Sequence, residues 1–386
     1  MSRVYLDHNA TAPLRPEARA AMVAALDAGG NASSVHAEGR KARALVEEAR
    51  SMIAEQAGAT VNGVVFTSGG TEADNLAIRS AVASGATRIF LSAIEHDAVR
   101  APAASLAERG DVVVETIPVL ETGVVDLDWL ERRLEGYNVD AEGAFLLCIM
   151  LANNETGVVQ PAARASDIAR AAGGRTLVDA CQAFGKIPVD FIETGAEYMS
   201  LSAHKLGGPL GAGALLVKPE LSVEPLLRGG GQELRRRAGT ENAPAIAGFA
   251  AATKAAAEDG GAEAARGVRD AIEAGLSDLP GVRVWGADAN RLPGTLALTA
   301  EGFSSETQVM TCDLGGVAVS AGAACSSGKV ARSAVLQAMG ASEEEAECGL
   351  RVSAGWSSEA EDADAFLQVW RAGYARVTTR RNRTAA

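Results

Sequence analysis

"AEYMSLSAHKLGGPLGAGALLVK", residues 196 to 218, is the stretch on which the fold turns. Two apolar runs in it, "AEYMSLSAHK" and "GAGALLVK", read as buried strands. Between them stands one lysine, Lys205, with a histidine before it and a pair of glycines after Leu206. Lysine prefers solvent, yet small residues crowd this one. Outward from it, from about residue 60, runs of the same kind recur: "GVVFTSGG", "TRIFLSAIEH", "DVVVETIPV", "AFLLCIMLANNE" and "RTLVDACQ". Segments such as "PAARASDIARAAGG" lie between them, with proline where a first helical turn starts and glycine after its end. Near-continuous apolar strands separated by helices imply an α/β fold, with a mostly parallel seven-stranded sheet covered on both faces.

The stretch "APAIAGFAAATKAAAEDGGAEAARGVRDAIEAGL" reads as one or two alanine-rich helices and marks a domain boundary. We expect a large domain over residues 15–255 and a smaller α+β domain built from residues 1–14 and 256–386. The polar C-terminal "RVTTRRNRTAA" reads as a frayed tail. The chain has 386 residues, 47% hydrophobic and 22% charged, ordinary for a globular protein. Its net charge of −13 argues against nonspecific binding to nucleic acid or anionic membranes. No apolar run approaches the ~20 residues of a membrane span. "MSRVYLDHNATAPL" lacks the basic and apolar regions of a signal peptide, which points to a cytoplasmic protein. Five cysteines without a CxxC pair, and only four histidines, argue against a metal site.

In open parallel sheets, ligands bind beyond the carboxyl ends of the strands. Five of the expected strands end in polar residues. "VVF" leads to Thr67, Ser68, Gly69, Gly70 and Thr71. "RIFLSA" leads to Glu95 and His96, and "AFLLCIMLA" to Asn153, Asn154 and Glu155. "TLV" leads to Asp179 and Gln182, and "YMSLS" to His204 and Lys205. The glycine-rich turn opening a helix suits a phosphate. It also fits an ordinary cap, with Thr71 capping and Asp74 reaching back. Asp179 is either a helix cap or a carboxylate that keeps a ring nitrogen protonated. His96, Asn154 and Gln182 each also have a plain reading as satisfied loop residues. Lys205 is harder to place that way. Desolvation among small residues lowers a lysine's pKa and frees its amine for a Schiff base. A phosphate loop, such a lysine and a strand-end carboxylate together suggest pyridoxal 5'-phosphate.

The same residues resemble a known family. "YLDHNATAPL", "FTSGGTEADNLAI", "EHDAV", "NNETGVVQP", "VDACQAFGKIPVD", "SLSAHKLGGPLGAGAL", "RAGTEN" and "SAGAACSS" together resemble the NifS/IscS-type cysteine desulfurases. These are class V aminotransferase-like enzymes of the fold type I pyridoxal-phosphate group. The resemblance runs from residue 5 to about 355. It implies roles residue by residue. Lys205 holds the cofactor. Asp179 partners the pyridine nitrogen, and His96 stacks on the ring and moves protons. Asn154 and Gln182 contact the phenolic oxygen. Gly70, Thr71, Ser202 and His204 surround the phosphate. Thr240 reaches the phosphate from a partner subunit, so the sites of a homodimer are shared. Arg351 holds the substrate carboxylate, with Asn9 and Asn154 facing the substrate. Cys325 is the nucleophile that takes sulfur from L-cysteine as a persulfide, leaving alanine. It then passes the sulfur to an acceptor protein, an iron–sulfur scaffold or a sulfurtransferase.

From the residues alone, Cys325 in "SAGAACSSGK" reads first as a small buried hydrophobe. Cys148, Cys181, Cys312 and Cys348 read as structural. The rival readings are a cysteine or cystine C–S lyase, a selenocysteine lyase, an aminotransferase of the same class, and a non-catalytic scaffold that kept the fold.

Overall fold

The computed structural model describes residues 3–322 and 332–385. After a short strand β1 (Val4–Tyr5) come helices α1 (Pro16–Ala28) and α2 (Ala37–Gln56). Then follow strand β2 (Val64–Thr67), helix α3 (Gly70–Ala83), strand β3 (Ala86–Ser92) and helix α4 (Asp97–Glu108). Strands β4 (Val113–Ile117), β5 (Ala144–Met150), β6 (Arg175–Asp179), β7 (Tyr198–Ser202) and β8 (Gly213–Val217) complete one sheet in the order β2-β8-β7-β6-β5-β3-β4. All seven apolar runs became its strands.

The sheet is parallel except for β8, which runs antiparallel to both β7 and β2. The reason is length. Residues 203–212, between β7 and β8, are too few for the helical crossover that a parallel neighbour needs. Side chains alternate between two cores, as period 2 requires. Val64, Phe66, Phe90, Leu147, Ile149, Val178 and Leu216 enter the core under α1, α2 and the helix Ala243–Glu258. Val65, Ile89, Leu146, Cys148, Leu177 and Leu215 enter the core under α3 and α4. Both faces are buried, which is why the strands read as unbroken apolar runs.

The alanine-rich stretch forms two helices, Ala243–Glu258 and Gly261–Leu276, broken at Gly260, whose φ of +65° ends the run. The remaining strands are β9 (Val282–Trp285), β10 (Thr295–Ala300), β11 (Val317–Ala318), β12 (Ser320–Ala321) and β13 (Gly349–Ser353). A four-stranded antiparallel sheet, β12-β13-β10-β9, packs with the helices Gly261–Leu276, Ser305–Leu314 and Glu361–Ala385 around Leu298, Phe303, Phe366 and Trp370. The last helix continues through "RVTTRRNRTA", where the sequence suggested a frayed tail.

The N-terminal segment touches both parts. Strand β1 pairs with β11, and Leu6 lies in the core of the second part. Further on, Ala12 N donates to His204 O and Arg15 N to Gly207 O on the first. Ile94 and Met150 from the first sheet meet Trp285 and Ala297 from the second in a shared apolar seam.

Candidate active site

Strands β5, β6 and β7 end level with one another. Met150, Asp179 and Ser200 are register partners across them. Asp179 Oδ1 accepts from Cys181 N at 2.9 Å and from Ser200 Oγ at 3.4 Å. Just beyond β7, a single 3-10 turn, residues 203–205, lifts His204 and Lys205 over this edge.

The "TSGG" turn lies against the same edge. A Cβ on Gly213, which faces Ser202 in the ladder, would fall 2.6 Å from Gly69 backbone. A Cβ on Gly70 would fall 2.4 Å from Cys181 Sγ and 3.5 Å from Ser202 Cβ. Glycine is required at both places by close approach. The capping box read from Thr71 and Asp74 does not form. The N-cap of α3 is Gly69, no side chain caps the helix, and Thr71 is exposed. Asp74 turns inward instead and is buried. The reach-back comes from Glu72, which accepts from Ser68 N at 2.7 Å and pairs with Arg237. The helix therefore presents its first-turn N–H groups and its positive dipole end without a capping side chain, the arrangement that receives an anion.

Lys205 Nζ donates to Asn9 O at 2.7 Å and to Ala10 O at 2.9 Å. Burial, then the nearby Arg351, brings its pKa down to about 8. About a tenth of the lysine is then free amine at neutrality, far more than for an ordinary lysine. His204 Nδ1 sits 3.2 Å from Thr11 Oγ1, and burial, then Lys205 and Lys186, holds its imidazole down at about 4. Gln182 Nε2 donates to Asn9 O at 2.9 Å.

Lys186 was missed in the sequence. Its Nζ donates to Asn9 Oδ1 at 2.9 Å and to Gln182 Oε1 at 2.8 Å. Burial and the charge of Lys205 push its pKa well below the ordinary lysine value. The signal was present: Lys186 follows Gln182 by four residues, soon after a strand end, in the otherwise apolar run "AFGKIPV". Its two bonds fix which end of each amide is the oxygen, so the Asn9 Nδ2 group faces Asn154 O and Thr295 Oγ1.

Arg351 comes from the other sheet, on β13, and is 4% exposed. It pairs with Asp7 at 2.8 Å and donates to Asn154 O at 3.1 Å, while its Nε has no partner. The N-terminal segment Asp7–Ala10 thus joins Lys205, Lys186, Gln182, Asn154 and Arg351 in one group. His8 is buried in the same segment with both ring nitrogens unpartnered, and burial, then Lys186 and Arg15, lowers it to about 3. Glu155 accepts from Ser333 Oγ at 2.5 Å, and burial raises it to about 7.

His96 is a satisfied loop residue, as its plain reading had it, and it also lines an open cleft. Its Nδ1 accepts from Ala98 N at 3.0 Å and caps α4. That leaves Nε2 as the ring nitrogen not used by the cap. It lines an open cleft of about 470 Å³ together with Thr71, Asn75 and Arg79. Ser202 is buried beside Gly70. Thr240 is exposed, in a segment tied to the first turn of α3 through Arg237 and Glu72. Cys325 lies outside the described residues. Cys148, Cys181, Cys312 and Cys348 are all buried.

A model of the aminotransferase class-V family matches residues 4–366. The chain belongs to this family. It is 40% identical over 374 residues to a cysteine desulfurase of Cereibacter sphaeroides, covering 96% of this chain and 95% of that one. It is 38% identical over 383 residues to an IscS-like cysteine desulfurase of Mycobacterium tuberculosis, covering 97% and 96%. Among solved structures, a NifS-like protein from Rickettsia africae superposes with a TM-score of 0.87 at 32% identity, covering 97% of this chain and 99% of that one. The fold is therefore that of the fold type I enzymes, and the family's cofactor is pyridoxal 5'-phosphate. The residues present fit that group. The uncapped helix with its glycine cradle suits the phosphate, Asp179 suits the ring nitrogen, and Lys205 is an amine of lowered basicity.

Proposed function

We propose that this enzyme is a cysteine desulfurase, which takes sulfur from L-cysteine and releases alanine. The observation that carries the reading is the meeting of Lys205 and Arg351 across the segment Asp7–Ala10. A weakly basic amine and a buried guanidinium set there match the two ends of an α-amino acid. The full-length likeness to proteins named cysteine desulfurase supports cysteine as that amino acid.

Pyridoxal phosphate, when bound, supplies the electron sink that makes the Cα–H of an amino acid acidic. The chain's own residues do the rest. Lys205 would hold the cofactor and would take and return protons at Nζ during turnover, with His96 as the second proton carrier. Gly70, Thr71, Ser202 and His204 would hold the phosphate. Asp179 would serve the ring nitrogen, and Asn154 and Gln182 the phenolic oxygen. Arg351 orients the substrate carboxylate, helped by Asn9 and Asn154, by trading part of its bond to Asp7. Cys325 attacks the substrate sulfur as a thiolate. The S–S bond forms as the substrate's C–S bond breaks, leaving a persulfide on Cys325.

The reading includes a homodimer in which Thr240 completes the partner's phosphate site. Exposed Leu210, Leu227 and Leu234 on the same sequence region as Thr240 support it, since such side chains seek cover. It includes a large lobe over residues 15–255 and a smaller one over 1–14 and 256–386. The separate core around Phe303 and Trp370 supports that division. It includes a cytoplasmic setting and transfer of the sulfur to an acceptor protein, an iron–sulfur scaffold or a sulfurtransferase. The experiment is product identity from L-cysteine and a thiol reductant, for the protein and its Cys325→Ala variant. Equal alanine and sulfide, lost in the variant, is the expected result. Pyruvate and ammonia, unchanged in the variant, would make the protein a C–S lyase.

A further inference from the structure

Three carboxyl groups share the floor of this site, and they are unequally served. Asp179 has two donors on Oδ1. Asp74, 1% exposed, arrives from α3, and among the described residues neither of its oxygens has a partner at full hydrogen-bond geometry, although the nearby Ser200 hydroxyl acts on it. Glu95, 3% exposed, arrives from the loop after β3. Its Oε1 accepts from Met150 N at 2.7 Å and its Oε2 accepts nothing. Met150 and Ser200 are the register partners that flank Asp179 on β5 and β7. Glu95 is anchored to the first, and the Ser200 hydroxyl tempers Asp74.

A buried carboxylate without donors is costly, and several like charges cannot all ionise in one apolar site. The titratable groups facing the two acids from other elements are Asp179 on β6, Cys148 on β5 and Cys181 beyond β6. Both thiols are pushed well up by burial, so they add no charge near neutrality. Burial, then Asp179, lifts Asp74 well above the carboxyl range and Glu95 to about 8. The charged neighbours acting on either acid are carboxylates.

We propose that Asp74 and Glu95 are protonated positioning residues that keep their own negative charge away from Asp179, the side chain that faces the cofactor's ring nitrogen. This rests on the pyridoxal-phosphate reading above. A single anion at one fixed place holds the ring proton on a defined side. A second anion behind it, present once Glu95 ionises, binds that proton more tightly and couples the ring's electronics to pH.

The test begins without cofactor, so it does not depend on the desulfurase reading. Infrared spectra of the full chain, of Asp74→Asn and of Glu95→Gln are recorded at about pH 6, above the ordinary carboxyl range of ~4. Each variant should lose its own C=O band of a buried protonated carboxyl. The band of Glu155 should stay in both. The Glu95 band of the wild type should vanish as pH rises through its own range. A wild type without these bands, or variants that keep them, overturns the proposal. If a variant does not fold, the pH titration of the wild-type bands decides. In the loaded protein, the visible absorption should shift as Glu95 ionises, and Glu95→Gln should lack that shift. An unchanged pH profile in Glu95→Gln would reduce Glu95 to a structural group.

Discussion

Lys205 owes its lowered basicity to two neighbours that act differently: burial removes water from the ammonium, and Arg351 adds a like charge. Lys186, a few ångströms of side chain away on the same amides, is a scaffold for orientation. We expect Lys186→Met to leave Asn9 Oδ1 and Gln182 Oε1 without a donor, at a cost of about 1–3 kcal/mol. Thermal melting reads that loss. An NMR titration should find His204 higher than in the wild type, because one of the cations that hold it down is gone. Arg351→Lys keeps the charge but gives up the planar fork. Its KM for L-cysteine should rise ~10-fold or more, the worth of a charged hydrogen bond of about 1.5–3 kcal/mol, with kcat moving less. Lys205 was legible in the sequence because small residues crowd it at a strand end. Lys186 passed unread, because a lysine seven residues past a strand end gives no sign in sequence of turning back onto Asn9 and Gln182. Asp74 was misread as a cap, since sequence spacing cannot say whether a first-turn acid faces out or in. Arg351 took a resemblance to find, because it comes from a different sheet.

At the scale of elements, the turns carry more of the site than the strands do. The stretch Glu233–Arg235 has three successive residues at φ of 46°, 55° and 69°, none of them glycine. Such a run persists only if something holds it. Glu233 is that clamp: buried, it takes both guanidinium nitrogens of Arg50 at 2.8 Å and Phe66 N at 2.9 Å. We expect Glu233→Ala to cost about 1–3 kcal/mol, because it removes the bidentate partner of Arg50 and the acceptor of Phe66 N, while Glu47 still pairs with Arg50. Denaturant midpoints check this. In the dimer reading it also frees the segment leading to Thr240, so cofactor retention under dialysis should fall. Gly213→Ala should drive a methyl into Gly69 backbone and displace the phosphate turn, destabilising the fold by about 1–3 kcal/mol. The strands were legible because burial on both faces leaves unbroken apolar runs. The left-handed turn was not, since its cause is an ion pair to a residue far earlier in the chain. The antiparallel sense of β8 was open to reading from loop length alone, but strand composition says nothing about direction.

At the scale of the molecule, the two parts meet along an apolar seam, and residues 4–15 stitch them together. The sequence showed both parts, but their mutual placement depends on contacts hundreds of residues apart. His8 sits in that stitch, 1% exposed, with its ring against Gly355, where a Cβ would lie 2.1 Å from Nδ1. Its pKa is about 3 in the folded chain against 6.5 when free. Between those values the unfolded chain binds the proton that the folded chain refuses. Stability contributed by the neutral ring is therefore complete above about 6.5 and is lost as pH falls toward 3, in total on the order of 3–5 kcal/mol. His204, lowered to about 4, acts in the same direction over a narrower range. Glu95 and Glu155, raised to about 8 and 7, act oppositely, because they bind protons when folded and so favour the acid side. The variant that separates these effects is His8→Gln. It should start from a lower stability at neutral pH, because an amide fits the ring's place poorly. Its difference from the wild type should then shrink steadily from pH 6.5 down to 3. A difference that stays constant over that range would mean that His8 is protonated in the folded protein after all. Melting curves of the two proteins at matched pH values measure it directly.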